Sequence, residues 1–114
     1  MPDGTCRIKK GEKRPIYGAA SVNSGTLTIS GQPTCTLTDS TGTVVTGLSA
    51  VNVTGYDAGA VASFNVWYDL DTLSPTVLAA GWYTLVFKVS ALGSDGIARV
   101  LEPSVSVQVI DPGE

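Results

Sequence analysis

The sequence contains no histidine. That absence removes the most frequent general base, the most frequent metal ligand and the one side chain that ordinarily titrates near neutral pH. Triads built on histidine are excluded, and two cysteines without histidine cannot complete a four-ligand zinc site. Charge is also scarce. Charged residues make up 15% of the 114, against roughly 25% in ordinary globular domains. No stretch approaches the ~18 apolar residues of a membrane span, and no helical periodicity persists over about 11 residues. The opening Met-Pro-Asp-Gly-Thr-Cys lacks the apolar run of a secretory signal, so the expectation is cytoplasmic synthesis without one.

What is present is β-forming. Apolar residues reach 43%, enough for a core, and the chain holds 14 Val, 13 Thr, 11 Ser and 13 Gly. Val and Thr suit pleated strands, and Gly suits turns. Short β-rich runs recur every 8–12 residues or so between Gly, Asp, Ser and Pro, the pattern of a sandwich or barrel. Gly25–Ser30 turns Leu27 and Ile29 inward, and Thr34–Thr38 does the same with Cys35 and Leu37. Asp39-Ser40-Thr41-Gly42 reads as an Asx-type turn, with Thr43–Thr46 returning as a strand. Val61–Tyr68 places Ala62, Phe64, Val66 and Tyr68 on one face. Asp69–Ala80 is a crossing segment with room for one helical turn. Trp82–Leu92 is the strongest strand, with Tyr83, Leu85, Phe87 and Val89 together; Ile97–Leu101 and the Val105, Val107, Val109 alternation follow. The expected fold is an all-β, immunoglobulin-like antiparallel β-sandwich of about 7–8 strands. Residues 1–14 are a basic N-terminal arm or first strand, 15–110 the sandwich and 111–114 a polar tail.

The net charge of −3 is split. Arg7, Lys9, Lys10, Lys13 and Arg14 face only Asp3 and Glu12 in residues 1–14, while the remainder carries two cations and eight acids. An acidic body repels nucleic acid and anionic membrane, so neither is an expected partner. A basic arm and an acidic body suit contact between identical copies, or the arm is merely solvated. Cys6 and Cys35 can pair in only one way, and Cys35 otherwise reads as a small buried apolar residue.

Leu78-Ala79-Ala80-Gly81-Trp82-Tyr83 resembles the tyrosine corner of immunoglobulin-like and fibronectin-like sandwiches. There the tyrosine hydroxyl bonds backbone a few residues upstream. Leu78, Gly81 and Tyr83 are therefore structural candidates, with Tyr83 expected to be buried. The order of larger motifs adds to this: Lys9-Lys10-Gly11-Glu12-Lys13, Gly25-Thr26-Leu27-Thr28-Ile29, Phe64-Asn65-Val66-Trp67-Tyr68 before Asp69-Leu70-Asp71-Thr72, Gly81-Trp82-Tyr83, and Glu102-Pro103 before a Val-rich strand. That order resembles the immunoglobulin-like domains of tailed-phage structural proteins, such as the N-terminal domain of baseplate upper proteins. The resemblance implies a non-enzymatic module of a virion (baseplate, tail, neck or capsid surface), docking multivalently on other virion proteins and on copies of itself. It implies no catalytic residue and no cofactor.

Interface candidates are Lys9, Lys10, Lys13, Arg14, Trp67 and Trp82. Both tryptophans fall on the outward phase of their strands, where indoles anchor protein contacts unless the arm or the crossing segment covers them. Two outward indoles also suit sugar stacking, which gives a carbohydrate-binding or adhesion module with a surface glycan as the alternative. Asp69 and Asp71, with Asp57 or Asp95, fall short of the six to eight oxygens calcium takes, so no metal site is expected. Asn52-Val53-Thr54 matches a glycosylation acceptor, but within a strand and without a secretory signal.

Overall fold

The computed structural model describes residues 5–21, 27–29, 31–56, 63–73, 77–93 and 96–111. Those residues form ten strands: β1 (Thr5–Lys9), β2 (Lys13–Ser21), β3 (Leu27–Ile29), β4 (Thr34–Asp39), β5 (Val51–Asn52), β6 (Gly55–Tyr56), β7 (Ser63–Asp71), β8 (Gly81–Gly93), β9 (Ala98–Leu101) and β10 (Ser104–Ile110). The fold is all-β, and no helix occurs among the described residues.

The strands form two layers. The larger has the order β1-β10-β8-β4-β5, and the smaller β2-β7-β6. β8 is the spine of the larger layer because its odd residues, Leu85, Phe87, Val89 and Ala91, form an unbroken apolar row. Its first half lies between β10 and β4, its second between β9 and β3. Pro103 separates β9 from β10, and its carbonyl still accepts the Phe87 N–H at 2.9 Å. All pairings are antiparallel except β1 with β10, which is parallel. β1 and β2 belong to different layers, so the turn between them crosses the end of the sandwich.

The core lies between the layers. Ile8, Leu37, Leu85, Phe87 and Val107 from the larger layer meet Ile16, Val66 and Leu70 from the smaller. Burying each such side chain contributes roughly 1.5–3 kcal/mol. The layers approach closely at Gly18, where an added Cβ would stand 2.6 Å from Phe87 Cδ2.

Two local expectations are corrected. Thr43–Thr46 does not return as a strand and makes only a single bridge, Thr38 with Val44. The chain turns again at Gly47, where φ is +83°, to bury Leu48, whose carbonyl accepts the Leu37 N–H at 3.0 Å. The crossing segment has no helical turn in its described part. β7 runs on to Asp71, whose Oδ1 accepts the Leu73 N–H at 2.9 Å, and the Leu78 N–H then bonds Thr72 O at 2.8 Å. Ala62, Asp57 and Asp95 lie outside the described residues, as do 1–4 and 112–114.

Candidate interaction surface

In β7, Val66 and Leu70 are buried, so the odd positions Trp67, Asp69 and Asp71 form its outer face. In β2, Ile16 and Gly18 are buried, leaving Lys13, Pro15 and Tyr17 outside. The register sets Tyr17 opposite Trp67, Pro15 opposite Asp69 and Lys13 opposite Asp71. Lys13 and Asp71 are thus cross-strand neighbours of opposite charge.

Trp67 lies between two neighbours. On one side its ring centroid is 5.7 Å from that of Tyr17, tilted by 38°. Such a pair is worth ~0.5–1.5 kcal/mol beyond the area it buries. On the other side the indole lies over Gly55, where any Cβ would overlap its ring. Trp67 is consequently half-buried, while Tyr17 is 57% exposed. The Thr54 hydroxyl accepts the Asp69 N–H at 2.7 Å, and the Thr54 N–H bonds Trp67 O at 3.0 Å, fixing the far side of the strand.

Trp82 is 49% exposed on the outer face of β8. The two indoles therefore face away from each other on opposite layers, so they do not share one face on which a sugar could stack. Sequence reasoning missed Tyr17, and with it strand β2. The signal was the outward phase that Tyr17 shares with Lys13 and Pro15 before the buried Ile16 and Gly18.

The basic residues sit at one end of the sandwich. Of the two readings of residues 1–14, the described part, 5–14, is strand and turn. The exposed Lys9 gives its N–H to Glu12 Oε1 at 2.6 Å. The Lys10 N–H bonds Ile110 O at 2.7 Å, and Arg14 Nη1 donates to Arg7 O at 2.8 Å. The two cysteines are free. Cys6 on β1 and Cys35 on β4 are separated by β10 and β8, about 14 Å at ~4.8 Å per strand, which no disulfide spans.

At the same end, Tyr83 Oη donates to Ala79 O at 2.8 Å, Leu78 is buried, and Gly81 takes φ +149°. Tyr83 is half-buried where it was expected to be buried, because its ring borders an open groove of about 320 Å³ shared with Asp39, Val44, Val77 and Ala79. Two polar side chains of the groove, Tyr83 and Asp39, are hydrogen-bonded to neighbouring residues. Asp39 Oδ1 accepts from the Thr41 hydroxyl at 2.6 Å and from the Thr41 and Thr43 N–H groups. Those bonds, the Thr41 hydroxyl foremost, hold its carboxyl below the usual carboxylate range. Among the described residues no three His, Cys, Asp or Glu cluster to hold a metal ion.

No family model matches the chain, and no curated protein matches it. Among solved structures it is similar to the crystal structure of CopC from Methylosinus trichosporium OB3b, at 21% identity over 96% of this chain and 87% of that one, with a TM-score of 0.46. A likeness of that size says nothing of activity. The expected virion function is corrected: the solved structure to which the chain is similar is that of CopC, and no family model or curated protein supports a place in a baseplate, tail, neck or capsid.

Proposed function

We propose that this chain is a non-enzymatic β-sandwich that binds protein along strand β2, with Tyr17 and Trp67 anchoring the partner. The observation that carries this reading is the Tyr17–Trp67 pair. It sets a largely exposed phenol on a preformed aromatic base, on a strand whose outer edge no described strand occupies. Exposed aromatics braced by neighbours lose little side-chain freedom on docking, which is why they dominate interface energetics. The non-enzymatic part rests on the missing histidine and on a groove in which Tyr83 and Asp39 bond to neighbouring residues.

A photo-crosslinking amino acid placed at position 17 of the full chain, in the cells that make it, tests this. The expected result is covalent protein adducts that Trp67→Ala diminishes and that the same probe at position 82 does not give. No adduct from position 17 overturns the reading.

A further inference from the structure

The groove beside Tyr83 carries a charge as well as apolar walls. Asp39 closes β4, Tyr83 stands near the start of β8, and the register sets the two opposite each other. Val44, from the turn after β4, and Val77 and Ala79, from the segment before β8, line the groove with them. Val44 is 43% exposed and Val77 58%, so its apolar surface is open to solvent.

Both walls are held from behind. The Val45 N–H bonds Leu37 O at 2.8 Å and Val44 bridges Thr38, which ties the first wall to β4. The Leu78 N–H bonds Thr72 O at 2.8 Å, and Tyr83 Oη holds Ala79 O, which ties the second wall to β7 and β8. A groove built in advance loses little freedom when a ligand enters.

The Asp39 carboxylate is only half used. The bonds from Thr41 and Thr43 all end on Oδ1. Oδ2 accepts from no described residue, and no described cation pairs with the group. Burial raises the Tyr83 phenol, the Ala79 bond opposes that rise, and the Asp39 charge adds to it, so the charge is felt at the ring of the groove.

These features select a ligand by elimination. An anion would be repelled by the carboxylate. A neutral apolar molecule would strip water from it and give nothing back. A calcium ion takes six to eight oxygens, and the described residues gather no metal-binding cluster. A cation with an apolar body satisfies the charge and the walls together. The volume of about 320 Å³ lies at the lower end of the roughly 300–1,000 Å³ of small-molecule sites, so the ligand is small.

We propose that this groove is a binding site for a small organic ammonium ion. Its charge meets the Asp39 carboxylate and the face of Tyr83, and its apolar body lies against Val44 and Val77. The site is separate from the Tyr17–Trp67 surface and does not depend on it.

The test titrates the whole purified chain with 2-phenylethylammonium, following backbone amides by NMR, with 2-phenylethanol as the neutral counterpart. The ammonium ion should shift amides in 39–46 and 77–83 saturably. It should bind roughly three- to thirtyfold more tightly than the alcohol, from an exposed ion pair and a cation–π contact together. Asp39→Asn keeps the turn's acceptor oxygen and removes the charge, so it should lose most of that preference. Val77→Lys changes an exposed side chain and sets a competing cation at the groove, so it should weaken ammonium binding whether or not Asp39→Asn folds. No saturable shift at these amides overturns the proposal. So does an alcohol that binds as tightly as the ammonium ion, a folded Asp39→Asn chain that keeps the full preference, or a Val77→Lys chain that binds ammonium as wild type does.

Discussion

Thr72 Oγ1 accepts a hydrogen bond from the Gly11 N–H at 2.7 Å and donates one to Glu12 O at 3.0 Å. Thr72 is the one fully buried polar side chain among the described residues. It ties the end of β7 to the turn where the chain passes from one layer to the other. Gly11 takes φ +98° there, a conformation that favours glycine. Thr72→Val keeps the shape, removes both side-chain bonds and leaves the Gly11 N–H without its partner. The expected cost is about 1–3 kcal/mol, read as a lower urea midpoint. Thr72→Ser, which retains the hydroxyl, should recover most of it.

Gly18 and Phe87 fix the distance between the layers. Gly18 is a glycine for want of room: its Cβ would stand 2.6 Å from Phe87 Cδ2 and 2.7 Å from Cε2. The ring is itself fully buried and has little freedom to yield. Gly18→Ala should therefore destabilise by about 1–3 kcal/mol, the usual cost of overpacking. Phe87→Leu costs stability alone, yet adding it to Gly18→Ala should cost less than the separate effects summed. Additive effects in that cycle would show that the ring moves aside freely.

The larger layer was legible in the sequence because its strands alternate cleanly. Leu85, Phe87 and Val89 are separated by single outward residues, as are Val105, Val107 and Val109, and period two then reports the face directly. The smaller layer was half-legible. β7 follows from Val66 and Tyr68, but β2 carries Pro15 and Gly18, two residues that punctuate strands more often than they build them. Both are tolerated for tertiary reasons: Pro15 sits on an edge, and Gly18 admits Phe87. The Tyr17–Trp67 pair was invisible for the same cause, since a partner on an unrecognised strand cannot be assigned. Trp67 and Trp82 share an outward phase, but phase alone does not say which layer a strand joins. Their separation is a property of the topology.

The alkaline limit of the fold follows from Cys35. Its side chain is buried among Leu37, Phe87 and their neighbours, and burial pushes the thiol up from 9.0 to about 12. In the unfolded chain that thiol ionises near its ordinary value, while the folded chain still holds the proton. A group raised on folding contributes stability that is complete below the unfolded value and is lost as pH rises toward the folded one. Between pH 9 and 12 stability should thus fall, by at most about 1.4 kcal/mol per pH unit for this one group. Tyr68 and Tyr83 are raised as well, chiefly by burial, and steepen the loss above their ordinary value of 10.0. Urea midpoints measured across this range should decline, and Cys35→Ala should flatten the part below 10.0, leaving the tyrosine part in place. At neutral pH a thiol reagent should label Cys6, which is half-exposed, and reach Cys35 only on unfolding. Rapid labelling of both thiols in the native protein would show that the β4 face opens, and the alkaline argument would fail with it.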